Sequence, residues 1–293
     1  MPDLRGAMRS FLAGWQGDVS AKWRAVLDGV EPAFDAVRAD LALHDGDTIF
    51  PSRRGHLLAG APPRSHVFRA LDGIAPRAVR VVVVGQDPYP QIGHATGRAF
   101  EQGDLAAWPE KPGAVADSLA RIIQAVAAAR SGRPIYTASD KAWARLYADR
   151  DAPLALLPPR PQFDAWQKQG VLFLNTALTL SRFEPGGGPE QLYGHIPLWR
   201  PVIYRIFDHL ATRPKGQVVF ALWGTLAKKA FRASGVKAAA LAAGTWGVRV
   251  DAVEHAHPNA RSMGAGPPFF RDPNPFVAIN QRLTALGAAP IAW

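Results

Sequence analysis

Residues 81–84 are four consecutive valines, closed by Gly85 and followed by Gln86, Asp87, Pro88, Tyr89 and Pro90. Four β-branched side chains in a row crowd a helix, and an unbroken apolar run leaves neither face of a strand polar. The run therefore predicts a central strand buried on both sides, the pattern of a parallel sheet covered by helices. Gly85 permits a sharp exit from the strand, and the two prolines stiffen the loop beyond it. An amide, a carboxylate and a phenol thus stand on a rigid loop at the carboxyl end of a strand, where open α/β sheets bind their ligands.

Three more apolar runs end on polar residues. Residues 171–174 lead to Asn175, residues 218–222 lead to Trp223, Gly224 and Thr225, and residues 248–253 lead to His255 and His257. Helical spacing separates them, over residues 117–130 with Leu119, Ile122, Ile123 and Val126 on one face and Asp117 or Ser118 as cap, over 198–210 and over 225–231. The expected fold class is α/β, a single domain spanning residues 1–293 with a central, mainly parallel four-stranded sheet flanked by helices on both faces. Residues 1–45 read as N-terminal packing helices. Residues 131–165 lose the pattern except around Trp143, Leu146 and Tyr147, and read as a surface insertion. The Pro- and Gly-rich stretch 50–63 carries Arg53 and Arg54, and reads either as a solvated basic loop or as a phosphate contact. In a parallel sheet all carboxyl ends share one edge, so Asp87, Asn175, Thr225 and His257 are expected to converge.

Lys and Arg outnumber Asp and Glu by 34 to 24, a formal charge of +10, which suits a polyanionic partner. The chain has no cysteine, which excludes disulfides, thiol nucleophiles and cysteine-held zinc or iron-sulfur centres. It has no apolar run of ~18 residues and no secretory h-region, so the expectation is a cytoplasmic protein with no membrane partner.

Taken singly, the polar residues have ordinary explanations: an aspartate before proline forms turns, an asparagine after a strand sits in a loop, and a histidine before proline packs or is solvated. Together they resemble the family 1 uracil-DNA glycosylases over most of the chain, from about Trp23 to Leu286. Gly85 to Tyr89 resembles the family's water-activating motif. The stretch 97–100 is similar to its loop ending on a base-stacking phenylalanine, and Asn175, Trp223–Gly224 and His257–Pro258 come in the family's order and approximate spacing.

The resemblance implies excision of uracil from DNA without a metal or cofactor. The deoxyuridine is flipped out of the stack before its glycosidic bond can be reached. Asp87 and His257 are implied as catalytic, the first as the anion that stabilises the cationic sugar and orients the attacking water, the second as donor to the uracil O2. Gln86, Tyr89, Phe100 and Asn175 are implied as substrate-binding. Phe100 would stack, Tyr89 would exclude a 5-methyl group, Asn175 would read N3–H and O4, and Gln86 would offer its main-chain amide. Ser118, Gly224, Thr225, Arg261 and Ser262 are implied as DNA contacts. The implied partners are uracil-containing DNA, single- or double-stranded, and the abasic product, bound by a monomer. Other readings are a relative with broader base choice and a binder of uracil or abasic sites with little catalysis.

Three positions depart from the family pattern. Pro90 stands where the motif normally continues with histidine. Arg261 stands where a leucine normally enters the duplex, which predicts a different wedge contact and weakened binding of a DNA-mimicking inhibitor protein. Residues 131–165 exceed the family's length by roughly twenty residues.

Overall fold

The computed structural model describes residues 2–139, 142–184, 187–261 and 268–293. Its centre is one four-stranded parallel sheet made of β1 (Val81–Gly85), β2 (Val171–Asn175), β3 (Val218–Trp223) and β4 (Val250–His255), in the order β2-β1-β3-β4. The valine run is the inner strand expected of it, with every residue of β1 buried. Side chains alternate across the sheet. Val82, Val84, Leu172, Leu174, Phe220 and Leu222 belong to one core, and Val81, Val83, Val171, Phe173, Ala221 and Trp223 to the other.

The first core is covered by α1 (Leu4–Phe11), α2 (Ala21–Val26), α6 (Ile196–Thr212), α7 (Thr225–Ala233) and α8 (Val236–Ala242). The second is covered by α3 (Asp117–Ser131), α4 (Trp143–Asp149), α5 (Pro159–Lys168) and α9 (Pro275–Ala285). From β1 the chain crosses to β2 over the second face, then returns past β1 to β3 over the first. The connections leave β1 and β3 towards opposite faces, and this reversal opens a crevice between the two strand ends.

Five local expectations need correction. Residues 34–41 form only a 3-10 turn, Phe34–Ala36, because tertiary partners take the backbone groups a helix would use: Ala33 N–H donates to Leu198 O and Arg38 N–H to Tyr193 O. The last strand begins two residues later than expected, since Thr245 O accepts the amides of Arg249 and Val250 in a turn that leaves Val248 exposed. Helix α3 begins at Asp117, but its N-cap is Ala116, and neither Asp117 nor Ser118 caps it.

The fourth concerns residues 131–165, whose described part presents many exposed residues, as an insertion at the surface would, but is also anchored in the core. Tyr136, Trp143, Leu146, Leu154 and Phe163 are buried in the second core, with the Trp143 indole N–H donating to Pro109 O at 2.9 Å. The basic stretch is likewise structural. Arg53 pairs with Asp18, and Arg54 bonds Asp18 O and pairs with Asp72, so these cations fasten the N-terminal region instead of facing phosphate. Among the described residues no helix is long and apolar enough to cross a membrane.

Candidate active site

At the carboxyl edge of the sheet two cavities lie side by side. One, about 210 Å³, is lined by Asp87, Pro88, Tyr89, Pro90, Arg98, Ser118, Asn175 and Phe183; the other, about 260 Å³, by Gly85, Trp223, Gly224, Thr225 and Leu226. Gln86, Phe100 and His257 line both. The second cavity sits in the β1/β3 crevice. Asp87, Asn175, Thr225 and His257 therefore converge, although as many as 170 positions separate them (257 − 87).

Asn175 is brought in by register. It pairs with Gly85 across β1 and β2, on the same face. A Cβ at Gly85 would collide with Asn175 Oδ1 and would lie 2.7 Å from Ala99 Cβ, so the glycine makes room for the amide. Asn175 is only 3% exposed, and no described group hydrogen-bonds its side chain. Asn175 lines the cavity, so its amide donors and acceptor are available to a ligand there.

Asp87 is half-buried on the rigid loop. Burial pushes its carboxyl up to about 7, partly opposed by a hydrogen bond from its own backbone. Gln86 Nε2 lies 3.5 Å from Asp87 Oδ2, while Gln86 O accepts from Ala177 N–H and Thr176 Oγ1 and so ties the loop to β2.

Tyr89 forms a wall. Its hydroxyl donates to Phe100 O at 3.3 Å and lies 3.2 Å from Ser118 Oγ. Burial raises the pKa of the phenol, which keeps it neutral. The ring also meets His94 edge-on at 6.3 Å, and His94 faces Asp104 at 3.2 Å. The loop's histidine is thus engaged behind Tyr89, while exposed Pro90 lines the cleft. Phe100 adopts a left-handed backbone (φ 63°), strained for a bulky residue, with its ring tilted 5.7 Å from Trp223 and 6.3 Å from His257.

His257 rests on Gly224. That glycine has φ 88°, and a Cβ there would lie 2.8 Å from His257 Cβ; its amide donates to His255 O. Gly224 is therefore a buried seat for the histidine. The Asn259 amide donates to His257 Nδ1 at 3.1 Å, which fixes the neutral tautomer with its proton on Nε2. Burial, and then the Arg121 guanidinium, hold its pKa below the ordinary histidine value.

The rim holds the remaining expected residues. Thr225 is exposed in the first turn of α7. Ser118 supports Tyr89 from the second position of α3. Arg261 has an 82% exposed side chain whose guanidinium is 3.9 Å from Asp117. Ser262 lies outside the described residues.

Three residues were not legible in the sequence. Buried Arg98 ties the Phe100 loop to α5, donating to Asp164 at 2.7 Å and Gln167 at 2.6 Å, and pairs with Glu101 at 3.1 Å. Buried Arg121 donates to Pro258 O at 3.1 Å and Asn259 Oδ1 at 2.6 Å, holding the His257 loop to α3. Phe183 stands at the mouth of the cleft. Arg98 had one available signal, its place beside Phe100; a cation on an apolar helix, like Arg121, ordinarily reads as a solvated face.

A sequence model described as the uracil DNA glycosylase superfamily matches residues 72–284, most of the chain. The chain belongs to this superfamily. A uracil-DNA glycosylase of Chromobacterium violaceum is 30% identical over 97% of this chain and 95% of its own length. That of Bordetella pertussis is 29% identical over 100% and 94% respectively. The fold is shared with the wild-type UNG of Nitratifractor salsuginis, at a TM-score of 0.59 and 20% identity over 95% of this chain and 96% of that one. It is shared also with a mimivirus UNG Y322L solved in complex with UGI, at a TM-score of 0.56 and 20% identity over 94% and 88%. Within the superfamily frame, the convergent cleft coincides with the motifs that carried the resemblance.

Proposed function

We propose that this protein excises uracil from DNA by hydrolysing the N-glycosidic bond of an extruded deoxyuridine. The observation that carries the reading is the Asn175 amide, buried and unpartnered among the described residues, in one cleft with a carboxylate and a neutral histidine. An amide offers uracil an acceptor for N3–H and a donor for O4, and meets the wrong polarity on cytosine. Phe100 supplies the stacking floor. Tyr89, pinned at its hydroxyl, rejects a 5-methyl group because the wall is rigid.

Departure of the base leaves positive charge on the sugar and negative charge on uracil. Asp87 as carboxylate stabilises the first and takes a proton from the attacking water. The water oxygen bonds C1′, the C1′–N1 electron pair leaves with the base, and Nε2–H of His257 stabilises the charge arriving on O2. The DNA contacts are Thr225, Arg261 and Ser262, with Ser118 and Gly224 acting through the residues they hold. The formal charge of +10 favours phosphate binding, and affinity falls steeply with salt. The protein acts as a monomer on single- or double-stranded DNA and also binds its abasic product. Exposed Arg261 in place of a leucine weakens capture by a DNA-mimicking inhibitor protein.

Cleavage of an oligonucleotide with one deoxyuridine, in EDTA and with thymine and cytosine controls, tests the proposal. Uracil-only cleavage that collapses in Asp87→Asn is expected. Binding without cleavage by the unaltered protein would replace this reading with that of an abasic-site binder.

A further inference from the structure

The stretch after β2 is fastened at four successive residues. Thr179 Oγ1 lies 2.8 Å from His195 Nδ1 and accepts the Trp199 indole N–H at 2.7 Å. Leu180 exchanges backbone hydrogen bonds with Phe50, both 2.8 Å. Ser181 Oγ lies 2.9 Å from His195 Nε2, and Arg182 pairs with Asp47 at 3.0 Å. His195 is fully buried, which lowers its pKa to about 3, so the links through its ring join neutral partners throughout the working pH range.

Phe183 comes next and is treated differently. It is 46% exposed and lines the mouth of the cleft with Asp87, Pro88, Tyr89 and Pro90. A phenyl ring in water carries a hydrophobic cost, and here four anchored residues hold its backbone in place rather than letting it turn inward. Phe183 lies beyond β2 and Arg261 beyond β4, the two outer strands of the sheet. The cleft is thus approached from one end by an aromatic ring and from the other by a cation.

We propose that Phe183 is a base-stacking residue of the DNA site, packing on a nucleobase that flanks the extruded deoxyuridine in the same strand. The inference rests on the uracil-excision reading and adds to it a contact for a neighbouring base. Every base has a π-face, so the contact tolerates any sequence, and it favours strands whose bases are already unpaired.

The test uses short single-stranded oligonucleotides with one deoxyuridine and 2-aminopurine on its 5′ or 3′ side. Phe183→Ala is expected to lower kcat/KM by about 5- to 150-fold, mainly through KM, with Phe183→Trp restoring it. The 2-aminopurine quench on binding, read in the uncleaving Asp87→Asn background, should be lost on one flank when Phe183→Ala is added. Replacing that flanking base by an abasic spacer should make the unaltered protein and Phe183→Ala alike. An unchanged KM and an unchanged quench in Phe183→Ala, with normal cleavage by the unaltered protein, would overturn the stacking role. Absence of uracil cleavage by the unaltered protein would instead overturn the excision reading, so the two failures are distinct.

Discussion

On the floor of the cleft, Asn175 sits in register with Gly85, Tyr89 is pinned by Phe100 and Ser118, and His257 rests on Gly224. On the rim, Thr225 stands in solvent, Pro90 is exposed, and Arg261 extends to Asp117 at 3.9 Å. Floor residues share atoms with the core, so each has one position and few tolerated replacements. Rim residues share almost none, and there the chain departs, at Pro90 and Arg261, from the pattern that the family resemblance implies. Under the proposed function, the contrast teaches that base recognition is set by the sheet, while the grip on DNA is free to vary around it.

The sharpest way to break this contrast is at Asp87. Asp87→Asn should reduce kcat by about 10²–10⁴-fold, measured in single turnover. The same change should raise stability at alkaline pH. The native carboxyl holds its proton up to about 7, whereas the unfolded chain releases it near 3.8, so native stability declines as pH rises between those values. The variant lacks that decline, and should melt higher than the unaltered protein at pH 8 and equally at pH 3. For activity the sign is opposite: the carboxylate form is required, so kcat/KM should fall about tenfold per unit below pH 7.

Asn175→Ala should cost about 30- to 150-fold in kcat/KM for uracil, the worth of two hydrogen bonds to the base. Tyr89→Ala should lose less on uracil and gain measurable cleavage of thymine, read on paired oligonucleotides differing by one methyl. Arg261→Ala should change duplex affinity by less than about fivefold, since it removes one cation among the several that meet the phosphates. A larger loss there than at Asn175 would erase the distinction between floor and rim.

The floor was largely legible because strands announce themselves locally. Val81 to Val84 and the run before Asn175 are short apolar stretches ending in polarity, and parallel pairing then puts their ends together. Buried cations were not legible, because their meaning depends on distant partners: Arg98 is 66 residues from Asp164, and Arg121 is 137 from Pro258. The same holds for residues 131–165, where Tyr136, Trp143 and Leu146 are too few and too irregular to show a periodic face, yet pack into the core. Phe183 was hidden for another reason: a single aromatic in a loop has no pattern at all.

Ser118 and Arg121 lie three residues apart on α3, and so on one face of the helix. Ser118 meets the hydroxyl of the tyrosine wall, and Arg121 holds the loop bearing the histidine. One rigid helical turn is therefore the shared foundation of two opposed sides of the pocket. Under the proposed function, selectivity and bond breaking then have no independent adjustment: a change that tilts this turn loosens the methyl filter and displaces the leaving-group donor together. Any evolutionary path to a new base must either keep α3 still or rebuild both sides at once.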